Sequence, residues 1–416
     1  MKTKTPTALR LTGTLCLGIG LAGCIVIASP GQNRDSNRRE TPLTPLPATL
    51  KLPCICRNPE ADDYRHFSNH GAPLASLPGF HPENSFSVDL RSADASRLDL
   101  RNSAADLEHA NFDSQTIWPP KDRLPPGFDA ARVLELGKNP GLGVRRLHAQ
   151  GITGCGIGIG IVDQTLLTRH SEFAARIKWY EEIDVKSWWP SQMHGPAVAS
   201  IAVGKTVGVA PEADLFYIAV NTKMSSLLHN YALGVRRLLE INQRLPKERR
   251  IRAISLSVGY GPGTPGYDEF IGAVKEAEAE GIFVAWCRET ARFPIEGLGV
   301  PSSADRDDFS AYTVAQSYQV HPNEGSLKVP MDSRTTASPT SVNDYAHYGP
   351  GGTSWTVPYA AGAYALTAQA DPNITPEQFW SLAVKTGRRI QMKFHGQDVS
   401  VGPVLDMEAL IKALAP

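Results

Sequence analysis

From about residue 130 onward the chain alternates short apolar runs with longer small-residue or amphipathic stretches, and this alternation narrows the possible folds most. Strand-like runs occur at 157–162, 214–220, 252–258 and 282–287, and helix-like runs at 195–204, 228–244, 267–280 and 355–369. Continuous apolar strands bounded by turn residues are those buried on both faces. Helices interleaved with such strands cross over the sheet and cover it. The pattern therefore predicts an α/β fold: a doubly wound, mostly parallel sheet flanked by helices, with a small N-terminal appendage. In sheets of this kind chemistry gathers at the carboxyl ends of the strands.

Three segments place reactive side chains at such ends. Gly351-Gly352-Thr353-Ser354-Trp355-Thr356-Val357-Pro358-Tyr359, followed by Ala-Ala-Gly, reads as a glycine turn delivering one serine to a small-residue helix. A helix N-terminus supplies backbone N–H groups and partial positive charge beside that hydroxyl. On this string alone, Ser354 reads first as an ordinary N-cap. Upstream, Gly156-Ile157-Gly158-Ile159-Gly160-Ile161-Val162-Asp163 is a buried strand ending in a carboxylate. Met193-His194-Gly195-Pro196 opens a second small-residue helix with a histidine. Asp163, His194 and Ser354, in that order, form an orienting acid, a base and a nucleophile.

Further residues carry a resemblance. Val162-Asp163 is followed by Leu166, Thr168, His170, Glu172 and Phe173; His194-Gly195 precedes Gly208-Val209-Ala210-Pro211; Ile254-Ser255-Leu256-Ser257-Val258-Gly259 forms a strand; and Gly352-Thr353-Ser354 precedes Pro358 and Gly362. With 31 residues from Asp163 to His194 and 160 from His194 to Ser354, residues 140–415 resemble the subtilisin-like serine peptidases, the subtilases. The resemblance implies a serine-type endopeptidase in which Ser354 attacks a peptide carbonyl, His194 moves the proton and Asp163 holds the imidazole. It implies that Ser257, Val258 and Gly259 pair with an extended substrate, and that a peptide or protein is the partner.

The sequence departs from the family at one reacting position. Where the family has an asparagine that helps hold the oxyanion, Ala285-Trp286-Cys287-Arg288-Glu289 puts Arg288. Loss of such a donor costs about 10²–10³ in turnover, a magnitude measured in subtilisin itself. Arginine is a donor, but its long rigid fork does not replace a short amide without rearrangement. Trp286 and Cys287 stand where the family has small residues beside its specificity pocket. A catalytically impaired, peptide-binding pseudopeptidase is the rival reading, and an esterase using the same triad remains open. The resemblance also makes calcium a possible stabilising ion, although no ligand run places it.

Composition excludes other classes. Lys plus Arg and Asp plus Glu both number 42, so formal charge is zero and nothing points to nucleic acid. Gly156-x-Gly158-x-Gly160 leads to an aspartate rather than opening a helix, so it is no phosphate loop. No zinc-ligand spacing appears.

The N-terminus has the layout of an export signal over 1–23: Lys2, Lys4 and Arg10, then an apolar stretch, then Leu21-Ala22-Gly23-Cys24. This last run resembles a bacterial lipobox, which implies lipidation at Cys24 and attachment to the outer face of the cell membrane. A spanning anchor and cleavage near Ala28 stay open, since apolar residues continue through Ile25-Val26-Ile27-Ala28. Residues 24–85, rich in Pro, Asn, Ser and Arg, read as a tether or loosely folded lead. In 86–129, Asp89-Leu90, Asp99-Leu100, Asp106-Leu107 and Asn111-Phe112 recur near multiples of five. This is a fragment of the pentapeptide-repeat pattern, read as a short flap on the catalytic domain at 130–416. Cys54 and Cys56 are poorly spaced to bond each other, and Cys287 reads as a buried thiol.

Overall fold

The computed structural model describes residues 43–56, 73–186, 189–316 and 325–414. Cys24 and the export signal lie outside the described residues, as does much of the lead. In chain order the elements begin with β1 (Cys54–Ile55), α1 (Ala104–Glu108), β2 (Asn111–Asp113), α2 (Ala130–Gly137) and α3 (Val144–Ala149). The central layer follows: β3 (Gly158–Asp163), β4 (Ile177–Ile183), α4 (His194–Val203), β5 (Asp214–Val220), α5 (Leu227–Gln243), β6 (Ile251–Leu256), α6 (Tyr267–Ala279) and β7 (Phe283–Trp286). Next come β8 (Ile295–Gly299), β9 (Thr313–Val314), β10 (Leu327–Pro330), β11 (Arg334–Ala337), β12 (Tyr345–Tyr348) and α7 (Thr353–Ala370). The chain closes with α8 (Pro376–Thr386), β13 (Arg388–Phe394), β14 (Gln397–Val404) and α9 (Met407–Leu414).

The central sheet has strand order β1-β4-β5-β3-β6-β7, and every neighbouring pair is parallel. Helices α4 and α7 pack on one face with Ile159 and Ile161, while α5 and α6 pack on the other with Val162, Ile218 and Ile254. Strand β3 is buried throughout, which is why its sequence is unbroken by polar residues before Asp163. Gly160 lets α5 approach, since a Cβ there would sit 2.8 Å from Leu238. Helix α7 is buried on nearly all sides, so its small residues show no amphipathic stripe.

Two further sheets were not legible as separate units: a mixed one of order β13-β14-β10-β8-β9, and an antiparallel one of order β11-β12-β2. Strand β4 was also missed, because Lys178, Glu181 and Glu182 break its apolar run. Helix α8 starts with a full capping box between Thr375 and Gln378, Pro376 taking the first turn.

The N-terminal part differs from a loose lead followed by a flap. Leu43, Leu46 and Leu50 pack against the core beneath α5, and β1 adds an edge strand to the central sheet. From residue 73 the chain coils on itself, Pro73, Asp94 and Ile117 meeting side by side in parallel. Asn84, Asp89, Asp94 and Asp99, five residues apart, each accept the backbone N–H two residues on. These Asx turns are corners of the coil and account for its five-residue step from Asn84 to Asp99. Val88, Leu90, Leu98, Leu100, Leu107 and Phe112 fill its interior. The stack then joins the rest through β2, which pairs antiparallel with β12.

Candidate active site

Asp163 ends β3 and is wholly buried. Its Oδ1 accepts from the Gln164 N–H at 2.7 Å and lies 2.7 Å from Nδ1 of His194; the Tyr231 hydroxyl stands 3.5 Å from Oδ2. A carboxylate so held fixes the imidazole tautomer with the proton on Nδ1, leaving Nε2 as the basic atom.

His194 is the first residue of α4 and the crossover from β4 brings it back over the end of β3. Gln164 helps place it, since its Oε1 accepts the His194 backbone N–H at 3.3 Å. The next residue is glycine for a steric reason: a Cβ on Gly195 would stand 2.6 Å from the Gln164 carbonyl and 2.8 Å from that of Thr165. Tyr217 finishes the junction by donating to the Gln164 carbonyl at 2.5 Å, and burial pushes its phenol well above the ordinary value.

Ser354 lies in the first turn of α7, where backbone N–H groups have no partner within the helix. The Ser257 hydroxyl donates to the Ser354 carbonyl at 3.0 Å, so the segment after β6 braces the backbone of Ser354. Asp332 holds the preceding turn. Its Oδ1 accepts from the Gly351 N–H and its Oδ2 from the Gln316 N–H, both at 2.7 Å. Burial pushes this carboxyl up to about 7, opposed by those two N–H groups and by the nearby Arg306 cation. Gly351 is obligatory here because a Cβ would collide with the Met331 carbonyl. Sequence reading missed Asp332; its signal, one aspartate between Met331 and Ser333 with Lys328 and Arg334 close by, is too common to single out.

Asp163, His194 and Ser354 line one cleft, together with Ser257, Val258, Tyr231, Tyr260, Tyr348 and Trp355. Trp355 follows Ser354, its ring 5.4 Å from that of His194 and 5.2 Å from that of Tyr348. Its Nε1 is buried with no hydrogen-bond partner. Gly259 touches the neighbouring strand exit so closely that any Cβ would strike the Cys287 carbonyl.

Arg288 does not line this cleft. It borders an adjoining pocket with Cys287, Glu289, Ser326 and Thr353, and its guanidinium lies against Gly261, where a Cβ would sit 3.3 Å from a terminal nitrogen. Its long, rigid fork is a poor stand-in for the short amide that the oxyanion position would take. Trp286 likewise turns away, packing edge-on against Phe270 of α6 at 5.5 Å inside the core. Cys287 remains at the pocket. Among the described residues no group of three or more His, Cys, Asp or Glu side chains is arranged to hold a metal ion.

Residues 154–288 match the family model described as Subtilase family, Peptidase_S8. That span contains Asp163, His194 and Arg288 and stops short of Ser354. Subtilisin-like protease PopC of Myxococcus xanthus (strain DK1622) is 33% identical over 134 residues, which cover 28% of this chain and 28% of PopC. The match thus spans little more than a quarter of that relative's length. Among solved structures, the prenylagaramide maturation protease PagA aligns with a TM-score of 0.47 at 14% identity, over 66% of this chain and 99% of PagA.

Proposed function

We propose that the chain is a serine endopeptidase acting through Asp163, His194 and Ser354, a reading supported by the match of residues 154–288 to the subtilase family model. The observation that carries this reading is the 2.7 Å contact between Asp163 and His194 at the mouth of a cleft that Ser354 also lines. In the proposed reaction His194 Nε2 takes the Ser354 proton as Oγ attacks the peptide carbonyl. The imidazolium that forms is stabilised by Asp163 and returns the proton to the leaving amine. Water then releases the acyl group by the reverse sequence. The Ser354 N–H at the start of α7 supplies one oxyanion donor. Residues 257–259 hold the substrate backbone by strand addition.

The altered oxyanion position favours a second reading, a pseudopeptidase that binds peptides, because Arg288 points to Gly261 rather than into the cleft. We further propose export and lipid attachment at Cys24, on the grounds of residues 1–24 alone. No helix among the described residues is long and apolar enough to cross a membrane.

The test is incubation of the full chain with a mixed peptide library and sequencing of the new termini. Internal cuts that vanish in Ser354→Ala support an endopeptidase. Intact peptides that still bind the protein support the second reading.

A further inference from the structure

The cleft is not built by the subtilase-like part of the chain alone. Ser85 and Phe86, which belong to the N-terminal coil stack, line it together with Asp163, His194 and Ser354. They reach it because the stack is fastened to β12, the strand that leads into the nucleophile turn.

The mounting of Phe86 is firm. The Asn111 side chain, buried, donates to the Ser85 carbonyl at 2.7 Å, and the Phe86 N–H donates to Asn84 Oδ1 at 3.0 Å. Arg91 forms a two-pronged ion pair with Asp89 at 2.8 and 2.7 Å and donates to the Tyr348 hydroxyl at 3.3 Å. Its guanidinium carbon lies 4.9 Å from the Phe86 ring centre and 5.5 Å from that of Tyr348, while the two rings meet edge to face at 6.4 Å. An aromatic ring clamped by a buried cation and a second ring loses little freedom when something packs on it.

The cleft face that Phe86 extends is apolar: Tyr348 and Trp355 continue it toward His194, and Pro350 borders it. Among its lining residues the only carboxylate, Asp163, is buried, and no lysine or arginine takes part.

We propose that Phe86 is a specificity-determining residue, and that the coil stack is a standing wall of the substrate cleft which selects a large apolar side chain next to the scissile bond. This rests on the peptide-cleaving reading of the cleft. It assigns to residues 73–128 a part in substrate choice rather than packing alone. A charged or very small side chain at that place finds neither a counter-ion nor contact area.

The test uses the full chain carrying Ser354→Ala, so that peptides bind without being cut, and a set of eight-residue Gly/Ser peptides with one phenylalanine at successive positions. Binding is read from tryptophan fluorescence or calorimetry. One position is expected to tighten binding by about tenfold over the phenylalanine-free peptide. Adding Phe86→Ala should reduce that gain to about twofold, and Phe86→Leu should restore much of it. Ser85→Trp, which narrows the same place without removing the ring, should also reduce the gain and serves if Phe86→Ala does not fold. The inference is overturned if no position gives a gain, if the gain ignores Phe86, or if all peptides weaken together. A gain that depends on Phe86 in a chain whose wild type cuts nothing would end the peptidase reading and leave Phe86 selecting a side chain of a bound, uncut peptide. Turnover with a gain indifferent to Phe86 would do the reverse.

Discussion

The two halves of the candidate active site are built differently. The Asp163–His194 half joins the end of β3 to the start of α4 through short, mutually supporting bonds: Asp163 to His194, Gln164 to the His194 backbone, Tyr217 to Gln164. The Ser354 half is assembled from distant parts of the chain. Ser257 braces its carbonyl, Asp332 holds the Gly351 turn, Trp355 covers it and Arg288 turns away. The first half can tolerate little change because each bond depends on the next. The second has room for substitution, since its reacting atoms include a backbone N–H that any side chain leaves in place.

The largest expected effect is on the tight half. Asp163→Asn should lower kcat about 10⁴-fold with the fold intact, the scale for losing the tautomer-fixing partner in a serine triad. A loss below tenfold in steady-state kinetics would show that Asp163 does not set the histidine's tautomer. On the loose half, Arg288→Ala should change kcat less than about threefold, because the guanidinium lies outside the cleft. Arg288→Asn, a short donor, should raise kcat by up to ~10². A hundredfold loss in Arg288→Ala would break the comparison by showing that the arginine swings in to hold the oxyanion.

Much of the fold was readable because buried strands and small-residue helices leave continuous apolar runs. The runs at 214–220 and 267–280 fall on β5 and α6 almost residue for residue. The three residues singled out as acid, base and nucleophile share one cleft, since each sits at an element end, where sequence signals turns well. What stayed hidden depends on partners far along the chain. Strand β4 carries charged residues because Glu181 is answered by Arg237 of α5, some 56 residues away. Asp332 and the Phe86 wall become functional only once the second and third sheets form around α7. The five-residue recurrence was visible, whereas the Asx turns that account for the step from Asn84 to Asp99 require the backbone.

Two smaller effects sharpen the contrast. Asp332 keeps its proton in the folded chain up to about pH 7, against an ordinary value of 3.8. Well below pH 3.8 both states hold that proton, so its contribution is full there. As pH rises through 3.8 toward 7 the unfolded chain releases it first and stability falls, by about 4 kcal/mol. Asp332→Asn should flatten that slope, read as a smaller difference in Tm between pH 4.5 and 7.5 than the wild type shows. An unchanged slope would place the titration elsewhere. Last, Trp355→Phe removes a buried N–H that has no partner. It should keep the ring contact with His194 and cost less than about 1 kcal/mol by chemical denaturation, the lost area offset by relief of that donor. A loss above about 3 kcal/mol would mean the indole nitrogen is satisfied in solution.

The most direct measurement of the central claim is covalent labelling of the full chain by a fluorophosphonate, compared with Ser354→Ala and His194→Ala. The account predicts time-dependent labelling at Ser354 that both substitutions abolish, the signature of a serine activated by its histidine. A folded chain that stays unlabelled, or labels equally without His194, would contradict it and leave a cleft that binds peptides without cutting them.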